Sequence, residues 1–204
     1  MLSERFQKLI ERIDQLNSED PNTDIVDGVS RPRELVYAQR LTEWVGRLNP
    51  QASEALRIAA CGQHIQRWTI PRDRYERNRR GYLRWRETLK AFHAQKVTEL
   101  MRQVGYPDDL IERVRLLILK KQLPTPPATG QANPETQTLE DALCLVFLET
   151  QFADLKKKTP DEKMKEIVQK TWKKMSAQAR AVALQLPLGE EDKRWLASAI
   201  GDSH

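Results

Sequence analysis

One stretch of the sequence concentrates the side chains that bind anions. Residues 62–86 read GQHIQRWTIPRDRYERNRRGYLRWR and hold eight arginines, two acids, two tryptophans, two tyrosines and one of the chain's three histidines. Guanidinium groups bind phosphate oxygens in pairs, and histidine binds metals or exchanges protons near neutral pH. The stretch therefore indicates a phosphate-binding active site or a nucleic-acid surface. A solvated helix–loop–helix edge is the alternative without a function.

His64 is the first candidate for chemistry. It lies at helical spacing from Cys61 and Trp68, so we expect it at or beside the core. Arg67 follows three residues later, close enough on a helix to hold an anion next to the imidazole. His93 also lies at the edge of an apolar helical face. Each histidine is either a hydrogen-bonded core residue or part of an active site.

Three acids are candidate partners for these cations. Glu34, if buried, would pair with an arginine of 67–86. Asp141 and Thr138 have the spacing of a capping box, in which the acid bonds back to the amide of the capping residue. Glu149 lies in the middle of a predicted apolar helix, where a carboxylate requires an arginine, a metal or a substrate.

The elements that must position these residues are helices. Glycine is scarce, at 8 residues, and apolar residues recur every three or four positions. Loops are expected over 18–30, where Ser30 would cap the next helix, and over 123–135; an arginine-rich connector is expected over 69–79. Core spacing predicts that Tyr82 and Trp85 are buried. The predicted helices cover 2–17, 32–48, 50–68, 80–104, 108–121, 138–154, 161–175, 177–186 and 190–200.

Composition bounds the class of protein. Near residues 156–160 the composition changes, and the basic residues that follow are mostly lysine rather than arginine. This change separates a predicted helical core domain, 1–155, from a C-terminal helical appendage, 160–204. The net charge of +5 favours an anionic partner. No run of about 18 apolar residues predicts a membrane span, and the N-terminus lacks a secretory signal, so we expect a cytoplasmic protein with no membrane partner. Two cysteines indicate neither a disulfide framework nor a zinc site.

Four segments carry a resemblance to a known family. RPRELVYAQRLTEWVGRL, GQHIQRWTIPRDRY, GYLRWRETLKAFHAQK and TLEDALCLVFLETQFAD together resemble the domain-of-unknown-function 4202 family over about residues 30–155. Some members of that family are labelled glutamyl-tRNA synthetase-like. The chain has no glycine-rich nucleotide-binding motif, so an aminoacyl-tRNA synthetase is not expected.

The helix order also resembles, more remotely, the HD-domain phosphohydrolases. These all-helical enzymes hold a divalent metal with a His, a His-Asp pair and a later Asp. The resemblance implies an all-α, HD-domain-like helical bundle. In it, His64 corresponds to the His of the His-Asp pair, and Asp141 corresponds to the final Asp. Two positions depart from the pattern. Ile65 follows His64 where the pattern has Asp, and Tyr37 lies near the position of the first His. His93 would be the substitute ligand.

Together these inferences predict a His/Arg/acid pocket that binds or hydrolyses a nucleotide or another phosphoester. The resemblance implies a manganese, iron, nickel or zinc ion on His64, His93 and Asp141. The predicted catalytic residues are His64, Arg67 and Glu149. The predicted phosphate-binding residues are Arg72, Tyr75, Arg40, Tyr37 and Glu34. The alternative is a non-catalytic RNA- or tRNA-binding module that uses the arginines of 67–86.

Overall fold

The computed structural model describes residues 3–121 and 133–201, and its fold is all-α, as predicted, apart from one small hairpin. Most of the predicted 123–135 loop lies outside the described residues. The chain divides into two compact units, Met1–Thr136 and Gln137–His204. This division comes earlier than the predicted one at 155–160, because the apolar helix around residues 138–150 belongs with the second unit.

The first unit is built around one short helix. Helix α3 (Glu54–Gly62) packs against four others and buries nearly all of its residues. Ser53 caps α3 by accepting a hydrogen bond from the amide of Leu56 at 3.2 Å. At its other end Gly62 lies against α4 (Arg79–Gln103), where an added Cβ would stand 2.3 Å from Cγ2 of Val97. The helices of this unit are α1 (Glu4–Ser18), α2 (Arg33–Leu48), α3 (Glu54–Gly62), α4 (Arg79–Gln103) and α5 (Asp108–Ile118).

A hairpin occupies most of the predicted 18–30 loop, so that prediction was wrong. Strands β1 (Thr23–Val26) and β2 (Val29–Pro32) pair in antiparallel fashion. Asp27 and Gly28 make the turn with φ of 51° and 78°, the positive values that a two-residue hairpin turn requires. Ser30 pairs within this sheet and is not the cap of α2.

The predicted helix over 50–68 is also shorter than expected. Helix α3 ends at Gly62, and Gln66 has φ of 49°, in the left-handed region. The amide of Gln66 donates to Oδ1 of the buried Asn17 at 3.1 Å, which holds this turn in place. Short 3-10 turns follow at Arg67–Thr69 and Arg72–Arg74. His64 therefore lies in a turn and not on the predicted helix, but it is half-buried, in agreement with the predicted position beside the core.

The described part of the second unit is also helical. Helix α6 begins at Pro134, so Thr138 lies inside the helix and the predicted capping box was wrong. Across 3–121 and 133–201, no helix has the length and hydrophobicity that a membrane span requires. The helices are α6 (Pro134–Thr150), α7 (Phe152–Lys158), α8 (Asp161–Lys174), α9 (Ala177–Ala183) and α10 (Glu190–Gly201).

Candidate functional site

A buried acid and a histidine meet between α2 and the turn that follows α3. Glu34 lies in the first turn of α2, where its amide donates to Oδ2 of Asp20 at 3.1 Å. Its Oε2 lies 3.2 Å from Nδ1 of His64, and its Oε1 lies 3.7 Å from Nε of Arg67. The Glu34 side chain is 9% exposed, so Arg67 compensates a carboxylate that is largely removed from water.

Aromatic contacts fix the imidazole of His64. The Tyr37 ring stacks on it at 3.9 Å between centroids, with only 9° between the planes. The His93 ring lies on α4 at 5.9 Å from the His64 ring. The His64 side chain is 19% exposed and so retains access to solvent. We call Glu34, Tyr37, His64, Arg67 and His93 the His64 cluster.

Burial sets the protonation of the central pair. Burial raises the pKa of Glu34 from 4.5 to about 7, and the positive charge of Arg67 opposes that rise. The pKa of His64 is lowered well below its ordinary value by burial and then by the cations Arg67, Lys120 and Arg86. A neutral imidazole therefore faces an acid that ionises near neutral pH.

This pairing connects the ionisation of Glu34 to the tautomer of His64. When Glu34 is protonated, its hydroxyl donates to Nδ1, and the imidazole carries its own proton on Nε2. When Glu34 is ionised, Nδ1–H donates to the carboxylate, and Nε2 becomes a free base. The imidazole thus changes from a hydrogen-bond donor to a proton acceptor as Glu34 ionises.

His93 is more deeply buried than its sequence position indicated. It is 2% exposed, at the centre of the buried face of α4, and its Nε2 has no hydrogen-bond partner among the described residues. Burial, followed by His64 and Arg67, keeps the pKa of His93 well below its ordinary value. The buried face follows Leu89, His93 and Met101, so Tyr82, at 41% exposed, lies outside it and the prediction that Tyr82 is buried was wrong.

Trp85 is a contributor to the site that the sequence reasoning assigned only to the core. Its ring lies 4.8 Å from the guanidinium of Arg67 and 6.0 Å from that of Arg72. The indole nitrogen donates to the carbonyl of Ile70 at 2.9 Å, which fixes the ring under the two arginines. Alternation of arginine with tryptophan was the signal available in the sequence, and it is consistent with this cation–π arrangement.

Arg72 and Tyr75, both predicted phosphate ligands, shape the connector. Arg72 donates to the carbonyl of Tyr75 at 2.9 Å and to the carbonyl of Glu76 at 2.7 Å. Its guanidinium is therefore committed to the backbone. Arg40, a third predicted phosphate ligand, pairs with Glu43 at 3.1 Å on the same helix. The structure assigns these three residues local contacts outside the His64 cluster.

The two remaining predicted site residues belong to the second unit. Oδ1 of Asp141 accepts from Nε2 of Gln137 at 2.9 Å and from the amide of Ser176 at 2.8 Å. Glu149 is half-buried and lies in the last turn of α6, not in mid-helix as predicted. Within 3–121 and 133–201, no group of three or more His, Cys, Asp or Glu side chains is arranged to hold a metal ion. The described residues therefore do not fit the implied metal, which stays a prediction from resemblance.

The fold and the His64 cluster define an all-α protein with a buried acid–histidine pair beside an arginine. The family model described as "Domain of unknown function (DUF4202)" matches residues 7–195, and the chain belongs to that family. No curated protein and no solved structure matches the chain.

Proposed function

We propose that the His64 cluster binds a phosphoester and hydrolyses it, with Glu34 and His64 as the proton-transfer pair. The observation that carries this proposal is the shared carboxylate of Glu34, which contacts both Nδ1 of His64 and Nε of Arg67. An acid oriented toward one nitrogen of an imidazole leaves the other nitrogen available as a general base.

The reaction would follow from the roles of the two groups. Nε2 of His64 takes a proton from water while the water oxygen forms a bond to phosphorus. The ester P–O bond breaks, and the imidazolium returns the proton to the leaving oxygen. Arg67 stabilises the charge on the phosphoryl oxygens, and the ionised Glu34 stabilises the imidazolium.

Arg67 suits this role because no described residue holds its guanidinium by a short hydrogen bond. Its 3.7 Å separation from Glu34 is too long for a strong hydrogen bond, and the guanidinium also lies over the ring of Trp85. A guanidinium held by a ring face and one long ion pair keeps donors for a phosphate. Arg72, with its donors on backbone carbonyls, lacks that freedom.

The test is release of inorganic phosphate from nucleoside mono-, di- and triphosphates and from p-nitrophenyl phosphate. The protein is purified without a histidine tag and assayed with a chelator and with manganese, iron, nickel or zinc. Wild type is compared with His64→Gln and Arg67→Gln, and with Arg102→Gln as a control at an exposed arginine in the last turn of α4. We expect a rate at least roughly 100-fold lower in His64→Gln and unchanged in the control.

Circular dichroism and thermal unfolding establish that each variant is folded. No phosphate release from any substrate under any of these conditions contradicts the proposal. A folded His64→Gln variant with the wild-type rate contradicts it equally, because the imidazole would then have no part in the reaction.

A further inference from the structure

Five arginines near the start of α4 are exposed and make neither an ion pair nor a side-chain hydrogen bond to the described residues. We call them the arginine surface. Among the nearby acids, Glu76 accepts from Asn78 and Glu87 pairs with Lys90, and the exposed Asp73 makes no ion pair with any described arginine. The charge of the surface is therefore left for an external partner. Its members are Arg74, Arg77, Arg79, Arg80 and Arg84.

The placement of these charges does not stabilise the fold. Arg79 and Arg80 lie in the first turn of α4, which contains no acid, although helix N-termini favour negative charge. Arg80 and Arg84 are four residues apart on the helix, where like charges repel. An arrangement that is unfavourable in the isolated protein becomes favourable when an anion lies across it.

The connector that carries the arginine surface is rigidly built. Arg72 bonds to three of its carbonyls, those of Tyr75, Glu76 and Asn78. Gly81 permits the chain to fold back on α4, because an added Cβ would stand 2.2 Å from the carbonyl oxygen of Glu76. The arginines are thus presented from a fixed backbone, which lowers the entropy lost when they bind a ligand.

We propose that the arginine surface binds single-stranded RNA through its phosphate backbone. The clustered cations complement the phosphates of a strand. Tyr82 is 41% exposed and already has the guanidinium of Arg86 over its ring at 5.8 Å, so its exposed aromatic surface offers a base a place to stack. This binding involves residues outside the His64 cluster, so it stands or fails separately from the proposed hydrolysis.

The test is fluorescence anisotropy with a labelled, unstructured RNA of about 20 nucleotides, which exceeds the usual site length. Wild type is compared with the triple variant Arg77→Gln, Arg80→Gln, Arg84→Gln. The matched control is Lys158→Gln, Lys163→Gln, Lys173→Gln, which removes the same charge from exposed lysines of the second unit. Titrations run between about 50 and 200 mM salt.

We expect the arginine variant to bind RNA at least roughly tenfold more weakly and to lower the salt slope by about 2, since each lost phosphate contact removes about 0.7. The lysine control should bind like wild type. Tyr82→Ala should weaken binding roughly tenfold with an unchanged salt slope, because it removes stacking.

Three results would overturn the proposal. The first is equal weakening by the two triple variants, which would mean that net charge alone attracts the RNA. The second is no binding by wild type at the lowest salt. The third is tighter binding to phosphatidylserine vesicles than to RNA, which would make the partner a lipid surface. Thermal unfolding confirms that the variants remain folded.

Discussion

Oε2 of Glu34 lies 3.2 Å from Nδ1 of His64, although 30 residues separate the two in the sequence. The contact joins the beginning of α2 to the turn that follows α3. It makes the charge of a buried acid and the tautomer of a neighbouring imidazole depend on each other. A pair of this kind responds to pH in a range that cells experience.

Glu34→Gln should change how stability depends on pH. The unfolded chain loses this proton near pH 4.5 and the folded protein near 7, so wild-type stability falls as pH rises between these values and is level above them. The variant lacks this contribution. We expect the difference in unfolding free energy between the two proteins to shift by about 3 kcal/mol between pH 4 and 8. Urea titrations at both pH values measure this shift. A difference in unfolding free energy that stays the same at pH 4 and 8 would contradict the raised pKa of Glu34 beside His64.

His93→Gln should have the opposite dependence. The folded protein keeps His93 neutral while the unfolded chain protonates it below about pH 6.5, so its contribution to stability is lost as pH falls through that value. Between pH 7.5 and 5.5 wild type should lose roughly 1 kcal/mol more than the variant. Both proteins retain Glu34, so its effect cancels in the comparison. Parallel urea titrations test this, and equal losses would mean that His93 is protonated in the folded state.

Gly62→Ala should destabilise the first unit by overpacking. The new methyl would stand 2.3 Å from Cγ2 of Val97, and α3 must shift to relieve the contact. We expect a loss of about 1–3 kcal/mol in urea unfolding. Gly46→Ala is the matched control, because its Cβ would stand 4.0 Å from Nη1 of Arg57, the nearest described atom, and alanine favours the helix.

A second variant checks the cause of that loss. Adding Val97→Ala to Gly62→Ala should destabilise the protein by less than the sum of the single changes, because the two side chains compete for one space. Strict additivity would show that Gly62 is needed for a reason other than the contact with α4.

Asn78→Ala should weaken the start of α4. Oδ1 of Asn78 accepts from the amide of Gly81 at 2.8 Å, and its amide group donates to Glu76 at 2.9 Å. Loss of this cap should decrease the free energy of unfolding by about 1 kcal/mol. Asn78→Asp keeps the acceptor and should retain most of the stability. A full loss in Asn78→Asp would assign the effect to the bond with Glu76.

Helices such as α1 were predictable because they bury one face. The helix expected over 2–17 is observed as Glu4–Ser18, with Phe6, Leu9 and Ile13 buried at helical spacing. The hairpin was missed for a different reason. Its strands contain four residues each and are largely exposed, so no alternating apolar pattern indicates them. The Asp27-Gly28 dipeptide was the available signal.

The His64 cluster was predictable in its residue types but not in its geometry. Arginine beside histidine indicated an anion site, and Glu34 was expected to contact one of these arginines. Its pairing with His64 depends on the left-handed conformation of Gln66, which residues other than glycine adopt infrequently. That conformation is held by Asn17 from a different helix. Contacts of this kind arise from tertiary packing, so local spacing does not indicate them.

The indole of Trp85 gives the molecule a built-in optical reporter. It lies under the guanidinium groups of Arg67 and Arg72, one from each 3-10 turn, and is anchored by its bond to Ile70. Motion of either cation alters the electric field at the ring and hence the wavelength of its fluorescence. The chain has five tryptophans, so replacing the other four with phenylalanine isolates this emission. An anion arriving at Arg67 then becomes visible without any label.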